Sequence, residues 1–227
     1  MTSIIANSTV ALNFGKQLEK EIEGEVLFDN FSRGQYATDA SIYQMIPTGV
    51  VVPKNSSDIE KVINLGRKDG ISLLARGGGT SQSGQTVNNS VVLDNSKFLN
   101  KIIEIDVKNR SCVVEPGIVL DELNRILKPH GLWFPVDIST SSRATIGGMA
   151  ANNSCGGRSI RYGTMRDNVI SIEGFMSDGS YCHFGTMENP KTSDLSKALK
   201  LIGERDALEI EYRFPKLIRR VGGYNID

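Results

Sequence analysis

Ser72-Leu73-Leu74-Ala75-Arg76-Gly77-Gly78-Gly79-Thr80-Ser81-Gln82-Ser83-Gly84 is the stretch on which the fold turns. Ser72 to Ala75 reads as a strand that runs straight into glycines. Three successive residues without side chains let three backbone N–H groups point at one anion, and Thr80 and Ser81 add hydroxyl donors. A diphosphate suits such a cradle because its charge is spread over several oxygens. A plain turn between strands is the alternative. The segment Gly77 to Gly84, flanked by Gln82, Ser83 and Gln85, is longer than a hairpin needs. Arg76 either assists the anion or is a charge at a strand end. A Cβ at Gly78 is expected to intrude on the phosphate with little loss of fold.

Two familiar phosphate motifs fail here. Gly79 to Thr86 nearly spells the P-loop, but Gln85 stands where its lysine belongs and Val87-Asn88-Asn89 does not start a helix. The dinucleotide pattern G-x-G-x-x-G fails because its third glycine would fall on Gln82.

Val50 to Val52 is a short buried strand bracketed by Pro47 and Pro53. Ser57-Asp58-Ile59-Glu60 spells a capping box, and Ile59, Val62, Ile63 and Leu65 follow as the buried face of a helix ending near Gly70. Val91 to Leu93 is a third strand. Residues 50–94 therefore read as strand, helix, strand, glycine-rich loop, strand, with the loop at a strand's C-terminal end, where α/β sheets bind ligands. Asn13 to Glu23 reads as a short helix and Glu25 to Ile46 as mixed. Ile102 to Ile105 and Cys112 to Val114 predict a hairpin around Lys108-Asn109-Arg110. Gly117 to Pro129 predicts a helix on Leu120, Leu123 and Leu127. Pro135 to Asn153 reads as a long irregular segment. Val169 to Met176 and Tyr181 to Phe184 predict a second hairpin, turned at Ser177-Asp178-Gly179, and Asp194 to Ile202 a last helix.

A second glycine cluster, Ala144-Thr145-Ile146-Gly147-Gly148-Met149-Ala150-Ala151-Asn152-Asn153-Ser154-Cys155-Gly156-Gly157, is small and polar throughout. It lets another backbone or a flat ring come close, and ordering it is costly unless something fills the space beside it. Tight packing of a small-residue helix is the other reading. Trp133 reads as core filler rather than a ring-stacking residue.

Composition excludes several classes. Twenty-six basic residues balance twenty-six acidic ones, which leaves no electrostatic footprint for nucleic acid. No apolar run is long enough to span a membrane and the start does not read as a secretory signal, so a cytoplasmic location is expected. Cys112, Cys155 and Cys182 have no metal-ligand spacing, so free thiols and no metal site are expected.

Tyr36-Ala37-Thr38-Asp39-Ala40-Ser41-Ile42-Tyr43, Pro47 to Pro53, Ala75 to Ser81, Phe134 to Ser139, Ala144 to Gly157 and Tyr162-Gly163-Thr164-Met165-Arg166-Asp167 stand in one order and spacing. In that order they resemble the vanillyl-alcohol-oxidase, or PCMH-type, FAD-binding domain, also found in D-lactate, glycolate and D-2-hydroxyglutarate dehydrogenases. The resemblance implies that Arg76, Gly77, Gly78, Gly79, Thr80, Ser81 and Gln82 hold the pyrophosphate. It implies that Pro135, Asp137, Ser139 and Thr140, with Thr145, Ile146, Gly147 and Gly148, lie along the ribityl–isoalloxazine side. Asn152, Asn153, Ser154 and Gly163 would finish the phosphate and adenine pocket. The sequence departs from the family's Pro-Asp-Pro with Pro135-Val136-Asp137-Ile138, so no role passes to Val136 or Ile138.

Relatives that attach FAD covalently use a histidine after the glycine turn. Thr80 stands there, so non-covalent FAD is expected; His130 and His183 carry no motif. Arg219-Arg220-Val221-Gly222-Gly223-Tyr224-Asn225-Ile226-Asp227 resembles the segment these dehydrogenases carry before a Gly-Ser-Glu-Gly-Thr-Leu motif. The chain is thus expected to be an N-terminal piece, inactive alone, of the large bacterial form, with any iron–sulfur cluster in the missing C-terminal region. The catalytic base is expected beyond Asp227, so no catalytic residue is named.

The expected fold is α+β in two lobes. A helical extension covers 1–46. The FAD-binding domain covers 47–227, with a mainly parallel lobe at 47–105, an antiparallel lobe at 106–227, and FAD between them. The expected function is the FAD-binding portion of an oxidoreductase acting on a D-2-hydroxy acid, with an unknown electron acceptor. An enolpyruvyl-sugar reductase-like flavoprotein and a non-catalytic nucleotide-binding module are the alternatives.

Overall fold

The computed structural model describes residues 2–185 and 190–217, the side chains of 2–8 and 190–193 excepted. In chain order the elements are α1 (Thr2–Glu21), β1 (Glu25–Leu27), α2 (Asn30–Gln35), β2 (Gly49–Val52), α3 (Ser56–Asp69), β3 (Leu73–Arg76), β4 (Val91–Asp94), β5 (Ile102–Asp106) and β6 (Ser111–Val114). They continue with α4 (Leu120–Leu127), α5 (Ile146–Ala151), α6 (Ser159–Tyr162), α7 (Met165–Asn168), β7 (Ile172–Phe175), β8 (Tyr181–Phe184), α8 (Pro190–Arg205) and α9 (Ala207–Arg213). The fold is α+β, as expected: one mainly parallel sheet and two antiparallel hairpins.

The main sheet runs β1-β2-β4-β3, with β2 and β3 both parallel to the central β4 and β1 antiparallel at one edge. Strand side chains alternate between faces. Val51, Val91 and Leu93 pack against Phe14 and Leu18 of α1 and Val62 and Leu65 of α3. Val50, Val52 and Val92 form a second cluster with Leu27, Tyr36, Leu74 and Phe98. Coverage on both faces explains why β2 and β4 are apolar runs rather than alternating ones. Each fully buried Val or Leu contributes about 1.5–3 kcal/mol of transfer energy.

Two local expectations shift. The helix after Pro53 begins two residues earlier than the capping-box reading: Asn55 is the N-cap, and its side chain accepts from the Asp58 N–H. Asp58 is fully buried, and its carboxylate instead accepts the N–H groups of Glu23 and Lys54. The Pro135–Asn153 segment is not irregular throughout, because α5 forms on Ile146–Ala151.

The β5–β6 hairpin packs with α4. Ile118, Leu123 and Leu127 meet Ile102, Ile105, Cys112, Val114, Phe134 and Ile146. The chain forms two compact units. The first holds Met1–Phe134, Ser139–Ala151 and Ser177–Gly179; the second holds Pro135–Ile138, Asn152–Met176 and the described residues from Ser180 onward. Among the described residues no helix is long and apolar enough to cross a membrane, and no group of ligating side chains could hold a metal ion.

Candidate functional site

In the first unit the glycine-rich loop leaves the C-terminal end of β3. The N–H groups of Gly77, Gly78, Gly79, Thr80 and Ser81 have no acceptor among the described residues. Gly79 takes a left-handed φ of 64°. Buried or half-buried donors are normally paired, so a run of unclaimed N–H groups in a turn is a ready anion cradle. The Ser81 hydroxyl is engaged inside the loop: it donates to Gln85 Oε1 at 3.0 Å and accepts the Ser83 N–H at 3.1 Å. Gln82 is exposed.

Arg76 holds this loop together with Tyr36, Asp39 and Thr86, to which the sequence assigned no role. The Arg76 guanidinium donates to the carbonyls of Tyr36 at 3.2 Å, Thr86 at 3.0 Å and Thr38 at 2.8 Å. It also lies over the Tyr36 ring, 5.3 Å from its centroid. The Tyr36 hydroxyl donates to the buried Asp94 at 2.7 Å. Burial, then that hydrogen bond and the Asp94 charge, push the Tyr36 hydroxyl far above its usual range. Asp39 accepts from the Thr86 hydroxyl at 3.0 Å and from the Ser41 N–H at 2.8 Å. Partial burial opposes its ionisation, but the hydrogen bonds from Ser41 and Thr86 outweigh it and hold its carboxyl below the ordinary carboxylate range. The Ala40 N–H donates to the Gly79 carbonyl at 3.1 Å. The signal for this layer was present as the Tyr36–Tyr43 motif, but nothing in it said which groups it would hold.

The glycines also serve the chain itself, which corrects the expectation for Gly78. A Cβ there would fall 2.2 Å from the Arg143 carbonyl oxygen, so the missing side chain first admits the 140–145 backbone. A Cβ on Gly77 would fall 2.2 Å from the Thr145 hydroxyl oxygen. Thr145 is buried, bridges Val119, and its hydroxyl accepts the Gly148 N–H at 3.4 Å at the start of α5. Thr140 closes a turn by accepting from Arg143 and Ala144, next to the exposed Ser139. The Ile146 N–H goes to Ile118, and Gly147 packs on Pro116, to which its N–H also donates. The structure therefore brings Arg76–Ser81, Arg143 and Thr145–Gly148 together in one unit.

In the second unit, Asp137 and the Gly156–Arg158 turn are joined. The Asp137 carboxylate accepts the Arg158 N–H at 2.9 Å, and a Cβ on Gly156 would overlap the Asp137 carbonyl. Val136, beside Pro135, is fully buried. Asn153 takes a left-handed φ of 43°. Its Oδ1 accepts from the Thr164 hydroxyl at 3.1 Å and the Arg166 N–H at 3.0 Å, while its buried Nδ2 has no partner among the described residues. The Ser154 carbonyl accepts the Met165 N–H, and Gly163 ends α6 with a φ of 81°. Asn152 is exposed at the end of α5, and the Arg219–Asp227 segment lies outside the described residues.

Unclaimed donors at Gly77–Ser81 suit an acceptor-rich ligand, and FAD, with its diphosphate, is one. The residues present fit the cofactor.

Comparison with known proteins agrees. The family model described as an FAD binding domain matches residues 47–185. A D-2-hydroxyglutarate dehydrogenase of Pseudomonas putida is 36% identical over 216 residues, covering 89% of this chain and 22% of that protein. A mitochondrial D-lactate dehydrogenase (cytochrome) of Kluyveromyces lactis is 36% identical over 170 residues, 72% of this chain and 29% of its own length. The structure of 6-hydroxy-D-nicotine oxidase from Arthrobacter nicotinovorans superposes with a TM-score of 0.67 at 21% identity, covering 75% of this chain and 37% of that one, which shows the shared fold. The chain spans about a fifth of the length of the D-2-hydroxyglutarate dehydrogenase it matches, 22%. Because the family model covers more than half of the sequence, this chain belongs to the FAD binding domain family.

Proposed function

We propose that this chain is the FAD-holding portion of a flavin-dependent dehydrogenase that oxidises a D-2-hydroxy acid such as D-lactate, glycolate or D-2-hydroxyglutarate. The observation that carries the reading is the run of N–H groups from Gly77 to Ser81 without an acceptor among the described residues. These donors take the diphosphate oxygens, and Thr80 and Gln82 are the polar side chains beside them. Pro135, Asp137, Ser139, Thr140 and Thr145–Gly148 are assigned to the ribityl and ring side, and Asn152, Asn153, Ser154 and Gly163 to the remaining cofactor contacts. The substrate class comes from the relatives, whose names specify D-2-hydroxy acids.

When bound, FAD supplies the hydride acceptor. This chain's residues bind and orient it; the base that takes the substrate's hydroxyl proton is not assigned to any of them. FAD is held non-covalently, because Thr80 stands where covalent relatives place a histidine and a hydroxyl does not make that linkage. The electron acceptor of the complete enzyme is left unassigned.

Titration of the purified chain with FAD, followed by quenching of flavin fluorescence, tests the reading. Saturable binding that ADP displaces supports it. Absence of saturable binding, with a folded chain by circular dichroism, refutes it.

A further inference from the structure

We infer that Arg76 and Asp39 are positioning residues, a latch that sets the direction of the Gly77–Ser81 amides, and that Arg76 is not itself a ligand of the cofactor's phosphates. The inference rests on the FAD reading above and says how that loop is made ready.

An arginine directly before three glycines invites assignment to the anion. The geometry spends it elsewhere. Its guanidinium is bonded to the carbonyls of Tyr36, Thr38 and Thr86 and stacked on the Tyr36 ring. A planar fork with several fixed N–H directions can serve carbonyls that converge from separate segments; a lysine ammonium on a flexible stem cannot hold them in that arrangement. The bond to Thr86 closes the loop across its base, from the end of β3 to the far side of Gly84. The bonds to Tyr36 and Thr38 tie the preceding 36–41 segment over it. The Gly79 Cα sits close to the guanidinium, since a Cβ there would fall 2.6 Å from Arg76 Nη2.

Asp39 completes the latch from the other side. Arg76 holds Thr86 by its carbonyl, and Asp39 holds the same residue by its hydroxyl at 3.0 Å and its N–H at 3.4 Å. The neighbouring Ala40 N–H then takes the Gly79 carbonyl. With that carbonyl turned toward Ala40, the N–H at the other end of the same peptide, that of Thr80, points the opposite way. Peptide planes are rigid, so fixing a C=O fixes the direction of the N–H that shares its plane. Residues 36–41 thus aim the donors without contributing a donor to the ligand.

A phosphate ligand and a latch respond differently to the same substitutions. If Arg76 neutralised the diphosphate, Arg76→Lys would keep the charge and most of the affinity, whereas Arg76→Met would lose it. As a latch, Arg76→Lys and Arg76→Met both weaken FAD by tenfold or more, and the salt dependence of binding is the same in both variants as in the parent. Asp39 accepts through both oxygens, Oδ1 from the Ser41 N–H and Oδ2 from Thr86, so Asp39→Asn, with a single acceptor oxygen, weakens FAD less than Asp39→Ala, which weakens it by about the same factor as Arg76→Lys. Hydrogen exchange without ligand gives an independent reading, with amides of residues 77–87 exchanging at least tenfold faster in Arg76→Lys and Asp39→Ala while those of β2 and β4 keep parental protection. Retained affinity in Arg76→Lys together with unchanged loop exchange overturns the latch. If the parent chain binds no FAD, the function proposed above fails, and the exchange measurement alone decides the latch.

Discussion

Replacing Gly78 with alanine tests how closely the cradle and its supporting backbone are fitted. The added Cβ would lie 2.2 Å from the Arg143 carbonyl oxygen and 3.0 Å from its carbon, where ordinary contact begins near 3.4 Å. Both partners are backbone, so no rotamer change relieves the overlap, and one segment must retreat by about 1 Å. Retreat of residue 143 strains the turn in which Arg143 and Ala144 donate to Thr140, and pulls on the bond from Leu120 to the Ala144 carbonyl. Overpacking of this kind costs about 1–3 kcal/mol. For a chain of this size that lowers Tm by roughly 2–10 °C. FAD affinity should fall with it, because the same movement displaces the loop amides. Gly77→Ala is the internal comparison: its Cβ meets the Thr145 hydroxyl oxygen, a side-chain atom that can rotate away, so the loss should be smaller. Gly34→Ala meets nothing within 4 Å and lies in α2, so it should be neutral or stabilising by up to about 1 kcal/mol. Differential scanning calorimetry and flavin-fluorescence titration read both effects. A Gly78→Ala chain that melts and binds FAD like the parent would refute the argument.

Bound FAD should leave the protein intact on acid or heat treatment, and flavin that stays with the denatured chain would sink the non-covalent assignment to Thr80. Asp58→Ala strips the buried N–H groups of Glu23 and Lys54 of their acceptor; at about 1–3 kcal/mol for each unsatisfied group, the urea midpoint should drop clearly. An unchanged midpoint would mean water reaches both groups. The Asp29 side chain caps α2, and its hydrogen bonds from Ser32 hold its carboxyl below the ordinary value of 3.8. A carboxylate with a depressed folded-state pKa stabilises above its unfolded value and loses that contribution as pH falls through the folded one. Asp29→Ala should therefore melt lower than the parent at pH 7, with the gap closing below pH 3.8. A gap that persists there would point to packing rather than charge.

The fold was readable wherever burial leaves a local pattern. Val50–Val52 and Val91–Leu93 are apolar runs because both sheet faces are covered, and α4 shows its buried leucines at helical spacing. Elements that owe their existence to a distant partner were not readable. β1 is three residues long, only half-buried, and a strand because it pairs with β2. The start of α3 was misplaced because Asn55 and Ser57 are both competent N-caps in sequence. Asp58 breaks the tie: its carboxylate is committed to the N–H groups of Glu23 and Lys54, one of them 35 residues away, and no local motif records that commitment.

The site divides along the same line. A glycine run before two hydroxyl residues announces a place where backbone donors are presented, and it announces this locally. What aims those donors is a set of bonds whose acceptors are the carbonyls of Tyr36, Thr38 and Thr86, atoms that every residue possesses. A sequence shows the arginine that donates but not the carbonyls that receive. Arg76 was therefore readable as a cation and not as a brace. The same holds for Gly78, whose neighbour is the carbonyl of Arg143, 65 positions on in the numbering. A residue that matters for what its backbone neighbour needs can be found only once the two segments are seen side by side. In this chain that covers most of what shapes the cradle, while the cradle's donors themselves stand in plain order from Gly77 to Ser81.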